Sequence, residues 1–121
     1  MSEALEDDPR FRQAVDLFNA GQWYACHDGL EELWHETLGP DRTVLQGVLQ
    51  IAVAHLHLER GNQRGATVLL GEGVGRLARC GPEALGLDLD HLRQTSSARL
   101  RCLQTGDDPS GLPLPGLRPQ A

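Results

Sequence analysis

The chain has 121 residues, enough for one domain that buries roughly two thirds of the surface its unfolded form exposes, and too few for a second. Its 21 Leu and 11 Ala stand against 6 Val, 5 Thr and 1 Ile, so straight-chain helix formers outnumber the β-branched residues that stiffen strands and the expected fold class is all-α. With 11 Arg, no Lys and 17 acidic residues the net charge is −6, which repels a phosphate backbone and argues against nucleic acid as a partner.

Turn signals divide the chain into five helical segments. Asp8-Pro9 reads as an N-cap followed by Pro at the first helical position, and Phe11, Val15 and Phe18 give the stripe of an amphipathic helix stopped by Gly21. A second helix runs from about Gln22 to Thr37, with Trp23, Cys26, Leu30, Leu33 and Trp34 on one side, and stops at Leu38-Gly39-Pro40-Asp41. The third, about 43–60, is apolar nearly all round and belongs at the centre of the bundle. Arg60-Gly61-Asn62 forms a structural turn into a fourth helix, about Gln63 to Arg79, and a fifth lies near Asp88 to Thr105. The expected architecture is a compact bundle of two antiparallel hairpins, a single helical domain over 1–105. Residues 106–121, with Pro109, Pro113, Pro115 and Pro119, read as a tail that neither propagates a helix nor supplies a sheet ladder.

Two patterns recur inside this scaffold. Gly71, Gly73 and Gly75 crowd into the fourth helix at about 1 kcal/mol each relative to Ala, and the shared face of Gly71 and Gly75 suggests close approach of a neighbouring backbone. Gly21-Gln22-Trp23 with Cys26, Leu30 and Leu33 matches Gly61-Asn62-Gln63 with Ala66, Leu70 and Gly73 at the same offsets, 40 positions apart. The pattern is similar to that of tetratricopeptide repeats, though two unequal copies make no solenoid.

Cys26, Cys80 and Cys102 are odd in number and have no C-x-x-C spacing, which suits a reducing, cytoplasmic setting. The acidic N-terminus lacks the pattern of a signal peptide, and the longest apolar run, Val44 to Leu58, is interrupted by Gln46, Gln50, His55 and His57, so no membrane partner is expected. Arg93, Arg99 and Arg101 read as three guanidinium groups on one solvated helix, with no aromatic side chain among them to stack on bases.

One candidate site remains. His27 and Glu31 are four apart on the second helix, at the edge of its apolar stripe. On the third, Gln46, Gln50 and His57 project within about 40° of each other and form its polar stripe, with His55 on the opposite side. Because buried polar groups need partners, the two stripes are expected to face each other as one polar patch inside the bundle. Imidazole and carboxylate are first-row metal ligands, so His27, Glu31 and His57 are the candidate metal ligands, while a hydrogen-bonded network that fixes helix register is the structural alternative. No specific metal or cofactor is implied.

The ordered series Phe18-Asn19-Ala20-Gly21-Gln22-Trp23-Tyr24, His27-Asp28, Leu30-Glu31-Glu32-Leu33-Trp34, Leu45-Gln46-Gly47-Val48-Leu49-Gln50-Ile51-Ala52, Arg60-Gly61-Asn62 and Gly65-Ala66 resembles the bacterial and archaeal family known as domain of unknown function 309, over about Phe11 to Leu77. The family has Glu where this chain has Ala25 and Asp28. The resemblance implies a small helical bundle with a buried central helix and no established activity, and the matching positions include His27, Glu31, Trp34, Gln46, Gln50 and the Arg60-Gly61-Asn62 turn.

The residues leave the biochemical function unknown. The first reading is a cytoplasmic binding or interaction module that self-associates as a homodimer through surplus apolar helix surface, its partner otherwise unnamed. Its rivals are a metal-dependent or acid/base enzyme, hydrolase-like, using His27, Glu31 and His57, and a tetratricopeptide-like peptide-binding scaffold with a concave apolar groove.

Overall fold

Over residues 4–119, which the computed structural model describes, five helices follow one another: α1 (Pro9–Asn19), α2 (Trp23–Glu36), α3 (Pro40–Glu59), α4 (Gln63–Leu77) and α5 (Leu89–Gln104). Side-chain caps fix three of the starts. The carboxylate of Asp8 accepts the Arg10 N–H at 2.9 Å with Pro9 at the first helical position, Asn62 Oδ1 accepts the Gly65 N–H at 2.9 Å, and Asp88 Oδ1 accepts the His91 N–H at 3.0 Å. Each satisfies one of the free amide donors of a first turn. The third helix begins at Pro40, three residues before the expected Thr43, because Gly39-Pro40 opens a helix here: Gly39 occupies the cap and Pro40 contributes a φ already suited to the first turn.

The two hairpins are antiparallel and built alike. Arg10 meets Glu32 across α1 and α2, and Gln50 meets Glu72 across α3 and α4. At Gly21, φ +72°, the glycine N–H donates to Phe18 C=O and the next N–H to Leu17 C=O; at Gly61, φ +76°, the same two bonds run to Leu58 and His57. Only a left-handed residue closes a helix in this way. The 40-residue pattern therefore has a spatial meaning: Cys26 and Ala66, then Leu30 and Leu70, occupy the same buried places after equivalent turns.

Helix α3 lies between α2 and α4 and buries Val44, Leu45, Gly47, Val48, Ile51, Ala52, Ala54 and His55. Phe11, Phe18, Trp23, Leu30 and Leu33 close the core from one side, and Leu70, Leu77, Leu89 and Leu92 from the other. The close helix approach falls on Gly73, not on Gly71 and Gly75. A Cβ at Gly73 would lie 2.9 Å from the Gly47 carbonyl oxygen, whereas one at Gly71 meets only Leu100 at 3.9 Å and one at Gly75 meets nothing within 4 Å. The backbones of α3 and α4 thus touch at Gly47 and Gly73, on the core face rather than on the face shared by the outer glycines.

Two features depart from an all-helical reading of the second half. Between α4 and α5 lies a short antiparallel hairpin, β1 (Glu83–Ala84) and β2 (Leu87–Asp88), whose two-residue turn puts Leu85 at φ 53° and Gly86 at φ 72°. Both central residues of such a tight turn must adopt positive φ, and without an Asn-Gly pair it left little trace in the sequence. The proline-rich segment after Gly106 is an arm laid on the bundle, with Pro109, Pro115 and Leu117 buried. The Asn19 side chain clasps it: Nδ2–H donates to Leu117 C=O and Oδ1 accepts the Leu117 N–H, both at 2.7 Å. The arm was not expected to pair with a sheet, but it forms a single bridge to β2 at Leu87 and Pro119, where Asp88 N–H donates to Arg118 C=O at 3.0 Å. Pro119 has no N–H to extend the ladder.

Candidate functional site

Helix α2 presents a polar strip at its solvent edge. Four-residue spacing stacks His27, Glu31 and His35, and the Glu31 carboxylate lies between two imidazoles, 2.9 Å from His27 Nε2 and 3.7 Å from His35 Nε2. Asp28 Oδ1 is 3.3 Å from His27 Nδ1, so the His27 ring sits between two acids. One turn beyond Glu31 is Trp34, whose ring carries the Arg42 guanidinium of α3 at 3.9 Å, a cation–π contact that ties the two helices. Within the strip two buried nitrogens lack a well-formed hydrogen bond: Trp34 Nε1 has no partner, and His27 Nδ1 has only the contact with Asp28. Seven residues separate them, two turns on one face of α2.

The expected single patch does not form. His27 and Glu31 are paired, but Gln50 turns to α4: its Nε2–H donates to Glu72 at 3.0 Å and its Oε1 accepts from Arg76 Nε–H at 2.9 Å. His57 is half-buried at the far end of α3, its Nδ1 3.3 Å from Asn62 Nδ2 at the Arg60-Gly61-Asn62 turn. It stands seven residues past Gln50, roughly 10 Å along the axis. Gln46 is half-buried on the same side of α3 as Gln50. The polar stripe of α3 is thus divided among α4, the following turn and the solvent edge.

Among the described residues, no three His, Cys, Asp or Glu side chains are gathered to hold a metal ion, so His27, Glu31 and His57 do not form the candidate metal site. Five surface recesses of about 260–370 Å³ open elsewhere, and none is lined by His27, Glu31, Gln46, Gln50 or His57. Among the described residues, the exposed large apolar side chains outline no groove of tetratricopeptide type. The large apolar side chains that are exposed, Tyr24, Leu38, Val68 and Leu114, sit on α2, the α2–α3 turn, α4 and the arm.

The buried polar centre is one the sequence reading passed over. His55, 2% exposed, and Arg99, 5% exposed, meet inside the bundle, where Arg99 Nε–H donates to His55 Nε2 at 3.1 Å. Arginine only donates, so Nε2 must carry the lone pair, and the proton is on Nδ1, which donates to Ile51 C=O at 2.8 Å. The Trp23 ring covers the imidazole at 4.9 Å. Burial, with the Arg99 charge adding to it, pushes the His55 pKa down to about 4. The rest of Arg99 faces the arm: one Nη donates to the carbonyls of Leu112 at 2.9 Å, Pro109 at 3.1 Å and Pro113 at 3.4 Å. Among the described residues no carboxylate pairs with this guanidinium, and burial lowers its pKa. Arg99 is therefore no solvated side chain but a pin between α3 and the arm.

Two further arginines close the fold at its edges. Arg10 joins Asp8, Glu32 and Glu36, holding the carboxyls of Asp8 and Glu36 below their usual range. Arg93 Nη groups donate to the carbonyls of Leu77, Cys80 and Gly81 and pair with Asp90, which satisfies the end of α4. Cys26 is buried, its thiol pKa pushed up to about 12 by desolvation, and is chemically quiet.

No curated protein matches the chain. Residues 11–69, from α1 into α4, match the family described as Domain of unknown function (DUF309), and that span holds the whole α2 strip, Arg42, Gln46, Gln50 and His57 but neither Arg99 nor the arm. Residues 11–69 are thus identified as a domain of this family of unknown function.

Proposed function

We propose that the protein is a binding module whose recognition surface is the α2 strip of His27, Glu31 and Trp34 with the adjoining edge of α3, and that a second copy of the chain docks there. The observation that carries this reading is the buried, unpartnered Trp34 Nε1 on the face of α2 that also carries His27, whose Nδ1 has only the 3.3 Å contact with Asp28. Buried polar atoms without partners are uncommon, and a small rearrangement at a docking interface supplies what the isolated chain lacks. The neighbouring surface has the mixed character of an interface: Trp34, Arg42, Gln46, Leu49 and Val53 are all half-buried, and aromatic residues and Arg are enriched where proteins meet. A net charge of −6 and the absence, among the described residues, of a helix long and apolar enough to cross a membrane support a protein partner over nucleic acid or lipid. Three unpaired thiols support a cytoplasmic setting.

Sedimentation equilibrium of the full chain tests the reading. The expected result is a dimer that Glu31→Arg converts to monomer with little change in melting temperature, and that Trp34→Ala also converts, at a cost in stability from the lost packing and Arg42 contact. A monomer at every concentration, or a dimer indifferent to both substitutions, overturns it.

A further inference from the structure

The way the arm is held has the chemistry of peptide recognition. Most of its bonds to the bundle use the arm's main-chain atoms: both polar groups of Leu117 to Asn19, three carbonyls to Arg99, and Arg118 C=O to the Asp88 N–H. Main-chain bonds of this kind give affinity to an extended segment whatever its sequence, while pockets for alternate side chains select among sequences. Here Pro115 and Leu117 are the buried anchors, and the Arg118 guanidinium pairs with Asp88 at 3.1 Å. Proline suits such a site because its restricted backbone loses little freedom on binding.

Over the described residues, the arm does not fill the groove it lies in. Beside Leu117 and Pro119 an open recess of about 370 Å³ remains, walled by Phe11, Val15, Leu85 and Leu87, with Glu6, Arg12 and Asp16 around it. The segment that joins the arm to α5 offers the means of release: Thr105, Gly106, Asp107 and Asp108 are all exposed, and Gly106 has φ +77°.

We propose that this groove, bounded by Asn19, the β1–β2 hairpin and Arg99, is a recognition site for an extended proline-rich segment of another protein, with the arm as its occupant in cis. The partner segment carries a Leu-Arg pair matching Leu117 and Arg118, followed by a bulky apolar residue that enters the recess. A tethered occupant is present at an effective concentration of the order of millimolar, so it screens the groove from weak ligands and yields to a segment that fills it better.

The test uses a fluorescent peptide of residues 107–119 and the full chain, followed by anisotropy. Leu117→Asp in the chain unseats the arm and leaves the groove; Arg118→Glu is a second lesion, at an exposed side chain, that decides the matter if the first disturbs folding. The expected result is that both variants bind the wild-type peptide at least tenfold more tightly than the wild-type chain does. Adding Asn19→Ala to either variant removes the binding, and Pro119→Phe in the peptide strengthens it severalfold. Equal binding by wild-type and variant chains, or no gain from the larger side chain, overturns the proposal. Concentration-dependent dimerisation that Arg118→Glu abolishes also overturns it, since the groove then serves a second copy.

Discussion

The Nε–H of Arg99 donates to Nε2 of His55 at 3.1 Å in the interior of the bundle, and this bond fixes both the tautomer of the imidazole and the place of the arm. A neutral histidine and a guanidinium without an ion-pair contact, Asp108 acting on it only at longer range, are compatible only while the imidazole stays unprotonated. Protonation removes the acceptor and sets two positive charges against each other.

Stability should therefore fall on mild acidification. The His55 pKa is about 4 in the folded chain against an ordinary value of 6.5. A folded value below the unfolded one means that the contribution is fully present above about pH 6.5 and is lost as the pH falls towards 4, a change of roughly 3 kcal/mol. Urea unfolding at pH 7.5 and pH 4.5 measures it, and His55→Asn should flatten the difference. An unfolding free energy unchanged between the two pH values in the wild-type chain contradicts the burial of a neutral imidazole.

Arg99→Met keeps the length of the side chain and removes every bond it makes. The expected effect is a loss of about 2–4 kcal/mol from unsatisfied buried acceptors, together with release of the arm. Limited proteolysis with a protease of broad specificity reads the second effect: cleavage within residues 106–114 should accelerate many-fold while the helices remain protected.

Two glycines of α4 should respond in opposite directions. Gly73→Ala drives a Cβ to 2.9 Å from both the Gly47 carbonyl oxygen and Ile51 Cγ1, and should cost about 1–3 kcal/mol by overpacking. Gly75→Ala meets nothing within 4 Å and should stabilise the helix by about 0.5–1 kcal/mol through reduced freedom of the unfolded chain. Thermal melts of the two variants separate the glycine that the fold requires from the one it tolerates.

His27→Ala should leave the fold nearly intact. Its partner Glu31 is about half exposed, and ion pairs at that exposure contribute less than about 1 kcal/mol. A much larger loss on chemical denaturation shows the pair to be a structural network.

The helices, their order and the two Gly turns were legible because each has a local signal: Asp8-Pro9, Gly21, Gly61-Asn62 and the apolar periodicity. The polar groups were less so. Gln46, Gln50 and His57 share one side of α3, but which neighbour they meet depends on how α2 and α4 lie against it, and the approach of α4 is closest at Gly47 and Gly73. Arg99 reads as solvated and His55 as unrelated to the site, although their positions give a clue to their burial. His55 is four residues after Ile51 and seven after Val48, and Arg99 continues the series Leu89, Leu92, Ser96 towards Leu103, all buried. Residue type outweighed register in that reading, since a buried arginine is rare without a visible acid partner. The arm escaped for another reason: its contacts with Asn19 span 98 residues, and no local pattern encodes them.

The most direct measurement compares the unfolding free energies of Glu31→Ala and Arg99→Met at pH 7.5. If the α2 strip is a recognition surface and the His55–Arg99 pair is the structural polar centre, the first substitution changes stability by less than about 1 kcal/mol and the second lowers it by at least about 2 kcal/mol. The reverse order, with Glu31 needed for folding and Arg99 dispensable, contradicts that assignment.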